Sequence, residues 1–338
     1  MAVLPKGLKI PASNDDRTNS PTILHSTLTE LTPLLDMKAV AVAPSIPAPI
    51  LSTPAAAAAA ATAGPFDGIH VESEYIRPNG LRYVPRKLSV DGKTVHDVSL
   101  LRSAAAARMP VLLYGPPGTG KTALVEAAFP NALTIQGTIE TETADFVGSW
   151  VQDSLGSYVW VDGPFLVAAD EGRPLLIDEI ALIDPRSLAI VYGAMDGRDE
   201  IVVTQNPARG KVKVQPGFLV LGAFNPNVPG AITSDALMSR FPVQIEVNTD
   251  WSLATKLGVN SKMIQVVRNL NHKVESGEMT AAPQLRELLA YRDLSARFGE
   301  AFALQNFIGQ IRPENRAVAI TAIKAVLGDS VNLTALTL

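Results

Sequence analysis

A strand, a glycine-rich turn and a helix follow one another near residue 115, and this succession restricts the possible folds more than any other stretch. The apolar residues Val111 to Tyr114 predict a short buried strand, and an apolar helical run covers residues 123–129. Between them the chain reads Gly-Pro-Pro-Gly-Thr-Gly-Lys-Thr, the complete G-x-x-x-x-G-K-[ST] pattern in its strand–loop–helix setting. The pattern predicts a phosphate-binding loop, called the P-loop below.

The residue types of the P-loop suit nucleotide phosphates. Glycines let successive backbone N–H groups point at phosphate oxygens, and the start of a helix adds the positive end of its dipole. Lys121 supplies a positive charge for the β- and γ-phosphates of ATP, and the Thr122 hydroxyl is a predicted Mg²⁺ ligand. The predicted nucleotide-binding residues are Gly115, Pro116, Pro117, Gly118, Thr119, Gly120, Lys121, Thr122 and Ala123.

Two acidic residues end the apolar run Leu175 to Ile177. Ligands of open α/β sheets bind at the carboxyl ends of the strands, so these acids are expected beside the phosphates. Asp178 is the predicted Mg²⁺ ligand, and Glu179 is predicted to orient and polarise the attacking water. The alternative is a pair of surface acids that cap the next helix.

Three further residues are candidates for phosphate contacts. Asn225 ends a predicted strand, where its amide would reach the γ-phosphate or the water, although an asparagine before Pro226 also suits a turn. Arg240 precedes the last strand and is a candidate finger that points at a neighbouring subunit's γ-phosphate. It also suits a solvated helix C-terminus. Arg286 opens a later helix and is a candidate contact that closes a lid on ATP.

Composition excludes several classes of site. The 338 residues contain no cysteine, which excludes disulfides, thiolate zinc sites and cysteine nucleophiles, and the four histidines lack metal-ligand spacing. A net charge of −4 indicates no general attraction to nucleic acid. Residues 39–66 carry no charge but five prolines interrupt them, which argues against a membrane helix. With no secretory signal evident, we expect a cytoplasmic protein.

Strands alternating with helices predict an α/β fold, a parallel sheet sandwiched by helices, followed by a small all-α lid domain. We expect a flexible Pro/Ala-rich arm over residues 1–66, an α/β nucleotide-binding domain over 67–249 and the helical lid over 250–338. The arm contains a run of seven alanines, residues 55–61, and reads as a linker.

These motifs together resemble the AAA+ ATPases, and within them the MoxR-like branch that includes the CbbQ, NorQ, GvpN and CobS relatives. The resemblance covers residues 95–320. By this resemblance, residues 115–122 correspond to the Walker A motif and residues 175–179 to the Walker B motif. Asn225 corresponds to sensor 1, Arg240 to the arginine finger and Arg286 to sensor 2. Residues 156–165 and the predicted hairpin 201–214 look like the helix-2 and pre-sensor-1 insertions of that branch. One departure follows Walker B, where Arg186 is only a displaced candidate for the branch's early arginine.

The resemblance implies a homohexameric ring with ATP between subunits, and Arg240 indeed has no evident target in its own chain. It also implies a protein client or a von Willebrand A-type adaptor as partner. Trp150, Tyr158 and Trp160 are candidates to grip such a partner, or else they pack beneath the insertion.

Three functions therefore compete. The leading hypothesis is an ATP-driven ring that remodels or activates a protein partner. A structural ring that uses ATP only to assemble is the second. A nucleic-acid motor is the third, with Arg209, Lys211 and Lys213 as its best basic patch.

Overall fold

The computed structural model describes residues 71–90, 92–226 and 228–337, so the predicted arm over residues 1–66 lies outside it. In chain order the strands are β1 (Tyr75–Ile76), β2 (Arg82–Tyr83), β3 (Lys87–Val90), β4 (Lys93–His96), β5 (Val111–Tyr114), β6 (Leu133–Gln136), β7 (Gly148–Gln152), β8 (Tyr158–Asp162), β9 (Pro174–Asp178), β10 (Glu200–Val202), β11 (Lys211–Lys213), β12 (Leu219–Phe224) and β13 (Val243–Glu246).

The helices are α1 (Asp97–Ala106), α2 (Lys121–Ala128), α3 (Thr143–Val147), α4 (Pro164–Glu171), α5 (Pro185–Met195), α6 (Asp235–Met238), α7 (Trp251–Lys256), α8 (Ser261–Glu275), α9 (Leu285–Phe298), α10 (Glu300–Gln310) and α11 (Arg316–Leu327). Short 3₁₀ turns cover Ile180–Leu182 and Pro313–Asn315. Among the described residues, no helix is both long and apolar enough to cross a membrane.

Five parallel strands form the central sheet in the order β13-β5-β12-β9-β6. The three central strands β5, β12 and β9 are apolar almost without interruption, and all six residues of β12 are buried, whereas the outer strands β6 and β13 alternate apolar and polar residues. The composition of the central strands is expected of parallel strands covered on both faces. The pairing confirms the predicted α/β fold with a parallel sheet.

Alternate residues of the strands enter different cores, because successive side chains of a strand point to opposite faces. Val111 and Leu113 of β5 pack with residues of α1 and α2. Leu112, between them, belongs to a second core that includes residues of α4 and α5. The sheet is therefore sandwiched between two layers of helices, as predicted.

Helices α7 to α11 enclose a separate core. Its fully buried members include Val267, Leu270, Leu288 and Ile323. The helix α8 has a polar face and an apolar face, which is the pattern of a helix packed on one side. The predicted all-helical region after the sheet is thus confirmed.

Among the described residues, four pairs of strands form two-stranded antiparallel sheets, and two of these hairpins lie at the predicted insertions. Strands β7 and β8 pair with Trp150 opposite Trp160, whose rings lie 5.7 Å apart edge to face. Strands β10 and β11 form the second hairpin. Arg209, in the turn of the second hairpin, donates to Asp162 at the end of β8 and to Asp170 of α4, each at 2.9 Å. An ion-pair network therefore ties the two predicted insertions together.

Replacing Leu176 with alanine tests the central sheet. Leu176 is fully buried in β9, and a buried Leu→Ala change costs about 2–5 kcal/mol through lost burial and the cavity it leaves. Leu155→Ala is the matched control, because this leucine is 89% exposed in the β7–β8 turn. Its free energy of unfolding should stay within about 0.5 kcal/mol of the wild type. Urea denaturation followed by circular dichroism measures both; equal losses would contradict this packing.

Candidate nucleotide site

Three central strands deliver the predicted site residues to one edge of the sheet. Strand β12 lies between β5 and β9, and all three run in the same direction. Phe224 pairs with Tyr114, the last residue before the P-loop, and Ala223 pairs with Asp178. Because parallel strands end at a common edge, the P-loop, the acidic pair and Asn225 come together there.

The glycines of the P-loop have backbone angles that other residues avoid. Gly115, Gly118 and Gly120 have φ values of 143°, 78° and 90°. Thr119 braces the turn by donating its hydroxyl to the carbonyl oxygen of Pro116 at 3.0 Å. The loop then enters α2 at Lys121, so Lys121, Thr122 and Ala123 form the helical first turn, whose N–H groups lack intrahelical acceptors.

Lys121 is buried and its ammonium group is fully engaged. Its Nζ donates to the carbonyl oxygens of Gly115 at 2.9 Å and Pro116 at 3.0 Å, and to Asn225 Oδ1 at 2.6 Å. Burial lowers the pKa of Lys121 to about 8, although the charges of Glu179 and Asp178 oppose that shift. The P-loop therefore holds an ammonium group that a phosphate would stabilise.

Thr122 and Asp178 are joined directly. The Thr122 hydroxyl donates to Asp178 Oδ2 at 2.7 Å. A hydroxyl and a carboxylate are hard oxygen donors, and Mg²⁺ typically binds through few protein oxygens together with substrate phosphates. The two groups predicted to hold Mg²⁺ are thus adjacent, and their chemistry fits that ion.

Glu179 has a left-handed backbone, with φ 53° and ψ 39°, which sets it apart from the strand it follows. Its N–H donates to Asp178 Oδ1 at 3.0 Å. Burial and the nearby Asp178 charge raise the pKa of Glu179, while Lys121 acts in the opposite direction. A carboxylate with a raised pKa is a better proton acceptor at neutral pH than an ordinary one.

Asn225 connects the lysine to the glutamate. Its Oδ1 accepts from Lys121, and its Nδ2 donates to Glu179 Oε1. The side chain is therefore directed into the site, whereas a simple turn before Pro226 would not require it there. The structure therefore differs from the alternative interpretation, in which Asn225 serves only the turn before Pro226.

Arg286 lies against the P-loop from the helical region. It is in the first turn of α9, and a Cβ added to Gly118 would lie 3.0 Å from Arg286 Cβ. Its positive charge adds to the lowering of the Lys121 pKa and offsets part of the rise in the Glu179 pKa. The sheet and the helical region thus converge on the P-loop.

Arg240 lies at the opposite edge of the sheet. Arg240 precedes β13, whose first residue, Val243, pairs with the first residue of β5. The P-loop follows the other end of β5, and a strand of four residues is about 13 Å long. The guanidinium carbon of Arg240 lies 4.3 Å from the centre of the Tyr192 ring, and its Nε lies 3.5 Å from Asp196 Oδ1. These own-chain contacts were not anticipated from the sequence. Arg186 is exposed in the first turn of α5.

Sequence reasoning missed Arg86. This residue precedes the P-loop by almost thirty positions and belongs to no recognisable motif. Its Nη2 donates to the carbonyl oxygen of Thr119 in the P-loop. No local pattern marks such a residue, because a long-range bond to a backbone oxygen places no demand on its sequence neighbours.

Comparisons with known proteins identify the domain that carries the P-loop, the acidic pair and Asn225. Residues 110–241 match the family model described as AAA domain (dynein-related subfamily). An uncharacterized protein of Staphylococcus epidermidis is 30% identical over 227 residues, which cover 63% of this chain and 82% of that protein. An uncharacterized protein of Staphylococcus aureus is 34% identical over 143 residues, so the alignment spans 39% of this chain and only 53% of that relative.

A solved structure of a candidate ATPase from Cytophaga hutchinsonii is also similar. It shares 16% sequence identity and covers 68% of this chain and 79% of its own, with a TM-score of 0.36. That score is too low to establish a shared fold. The fold assignment rests instead on the strand order and on the family model.

The buried Lys121 predicts a pH-dependent affinity. Above pH 8 the ammonium group of the free protein loses its proton, so the affinity for ADP in Mg²⁺-free buffer should fall as the pH rises from 7.5 to 9.5, approaching about tenfold per pH unit. Calorimetry in two buffers of different ionisation enthalpy should show proton uptake on binding. Lys121→Arg stays protonated throughout and is the control. A wild-type affinity that is constant over this range would contradict the assignment.

Proposed function

This chain belongs to the AAA proteins of the dynein-related subfamily, and we propose that it hydrolyses ATP as a ring that remodels or activates a protein partner. The observation that carries the proposal is the Asn225 amide, which links Lys121 of the P-loop to Glu179 after β9. Phosphate-binding and water-activating groups are thereby held in one hydrogen-bonded unit.

Nucleotide binding follows from the P-loop. Its N–H groups and Lys121 would bind the phosphates, and Arg286 would approach them from the helical region. Thr122 and Asp178 would hold Mg²⁺, which supplies charge that neutralises the β- and γ-phosphate oxygens. The own-chain acceptors of Lys121 are neutral carbonyl and amide oxygens, so phosphate oxygens would be stronger partners for its charge.

Hydrolysis needs a water aligned with the γ-phosphorus atom. Glu179 is the carboxylate available to orient that water and accept its proton, since its pKa is raised and its position is fixed by Asn225. Asn225 would donate its second Nδ2–H to the γ-phosphate, or its Oδ1 would accept from the water in place of Lys121. Glu179 and Asn225 would therefore act in the same step.

Arg240 would serve a neighbouring subunit. Topology places it at the edge of the sheet away from its own P-loop, and its Nη1 donates to the carbonyl oxygen of Ala236 at 2.7 Å. A ring, most simply a hexamer as in the MoxR-like branch, would bring this edge against the P-loop of the next subunit. Arg240 would then stabilise the transition-state charge in trans.

The two hairpins support a protein partner over nucleic acid. Trp150 is 51% exposed and Tyr158 is 68% exposed, which leaves aromatic surface available for contact with a client or a von Willebrand A-type adaptor. The best basic patch is neutralised in part, because Arg209 pairs with Asp162 and Asp170, and Lys211 pairs with Glu200. The ability of this basic patch to attract the phosphate backbone of a nucleic acid is correspondingly small.

Two substitutions separate binding from hydrolysis. Lys121→Ala should weaken ATP binding by at least about tenfold, because it removes the charge that faces the phosphates. Glu179→Gln should bind ATP normally but hydrolyse it at least about 100-fold more slowly, since an amide accepts no proton from water. Glu275→Gln, an exposed change on α8, is the control and should match the wild type.

Fluorescent-nucleotide titration and phosphate release measure these quantities. Equal turnover in wild type and Glu179→Gln would overturn the role of Glu179. Wild-type turnover too slow to detect, together with ATP-dependent oligomers, would instead indicate a scaffolding ring.

A mixing experiment tests Arg240. Arg240→Ala and Glu179→Gln subunits should each be inactive alone, while a mixture should regain turnover. In mixed rings, an intact Glu179 of one subunit meets an intact Arg240 of the next. Arg268→Ala, on the surface of α8, is the control and should be active without mixing. If the mixture stays as inactive as its components, Arg240 does not act across a subunit boundary.

A further inference from the structure

Arg86 bridges two segments that lie far apart in sequence. Its Nη2 donates to the carbonyl oxygen of Thr119 in the P-loop, and its Nη1 donates to the carbonyl oxygen of Asn248 at 3.1 Å. Asn248 belongs to the short link between β13 and α7, where the sheet ends and the helical region begins. A guanidinium group presents several donors in one rigid plane, so it can hold both oxygens at a fixed separation.

The backbone of Arg86 is itself fixed by a buried carboxylate. Its N–H donates to Asp97 Oδ1 at 3.1 Å, and its carbonyl oxygen accepts from the N–H of Asp97 at 3.0 Å. Asp97 is the first residue of α1 and is only 6% exposed, and its Oδ2 accepts from the Tyr83 hydroxyl. Arg86 therefore extends to the P-loop from a rigid base.

The link continues into the helix that carries Arg286. Thr249 follows Asn248 and donates its hydroxyl to Gln284 Oε1 at 2.6 Å. Gln284 caps α9, and its backbone N–H donates to the Glu287 carboxylate at 2.8 Å, which closes a capping box. One chain of polar contacts thus runs from the P-loop through Arg86 and the link to the start of α9.

Arg86 is poorly placed to bind phosphate itself. Its bonds are to carbonyl oxygens, whereas a phosphate would lie on the N–H side of the P-loop. A Cβ added to Gly120 would lie 2.8 Å from Arg86 Nη2, so the guanidinium presses closely against the loop backbone. Among the described residues, no group accepts a bond from its buried Nε.

We propose that Arg86 is a positioning residue that clamps the P-loop to the link at Asn248 and thereby sets the placement of Arg286 over the loop. The inference rests on the proposed nucleotide site. Arg86 lies outside the residues 110–241 that match the family model. The clamp would preorganise the P-loop and the helical region for the same phosphates, and this lowers the cost of ordering them on binding.

Arg86→Ala and Arg86→Lys test the clamp against a matched control. Arg77→Ala is that control, because Arg77 also precedes the P-loop and pairs with Glu126 of α2 at 3.0 Å but does not bond the loop itself. The Kd for a fluorescent ATP analogue should rise about tenfold or more in Arg86→Ala and stay within about twofold of wild type in Arg77→Ala. Thermal melting confirms that each variant is folded.

Arg86→Lys separates geometry from charge. Lysine keeps the positive charge but lacks the planar guanidinium that spans both carbonyl oxygens. The Arg86→Lys variant should therefore lose most of the nucleotide affinity that Arg86→Ala loses. It also serves as the deciding variant should Arg86→Ala fail to fold. A lysine variant that binds the analogue as tightly as wild type would overturn the clamp.

A double-mutant cycle with Arg286→Ala tests the coupling to the helical region. If the clamp places Arg286, the fold-loss of affinity caused by Arg286→Ala should shrink to less than half in the Arg86→Ala background. If the fold-losses of affinity of the two single variants multiply in the double variant, Arg86 and Arg286 act independently, and the proposal is overturned. A purely structural role for Arg86 predicts that independence.

The two proposals fail in different ways. If wild type and Lys121→Ala bind the analogue equally weakly, the nucleotide site itself is refuted. If wild type binds, Lys121→Ala does not and Arg86→Ala matches wild type, only the clamp is refuted.

Discussion

The parallel pairing of β5, β12 and β9 is the constraint on which the site depends. With all three strands running the same way and aligned within a residue of one another, their carboxyl ends cannot avoid meeting. The P-loop, Asp178 and Asn225 are consequently neighbours without any further device. Two apolar helical layers maintain that pairing, since shifting one strand would expose buried side chains on both faces.

The burial of Lys121 explains how the site is kept ready for an anion. Removing an ammonium group from water is costly unless other groups replace its hydration, and here two carbonyl oxygens and one amide oxygen do so. These acceptors are neutral, so the positive charge is solvated but not cancelled. The nearby carboxylates of Asp178 and Glu179 stabilise that charge at longer range and are themselves held by Thr122 and Asn225.

Local patterns made much of the fold and the site predictable. The helices over residues 164–171 and 185–195 carry such local signals, because each begins with a proline and ends at Gly172 or at the turn of Asp196. The P-loop and the acidic pair were predictable for a similar reason, since their chemistry requires consecutive residues. Other features were not. The sequence predicted neither the five-residue helix α3 nor the strand β7, whose extent is set by its pairing with β8.

By itself, the sequence determined the phosphate-binding loop, the acidic pair and the alternation of strands and helices, because each is specified by residues adjacent in the chain. The tertiary structure alone decided which distant groups meet. It joined Asn225 to both Lys121 and Glu179, set Arg240 over Tyr192 and brought Arg86 to the carbonyl oxygens of Thr119 and Asn248. The physical reason is that an isolated side chain can bond a remote backbone or side-chain group without leaving any periodicity or spacing in the sequence around it.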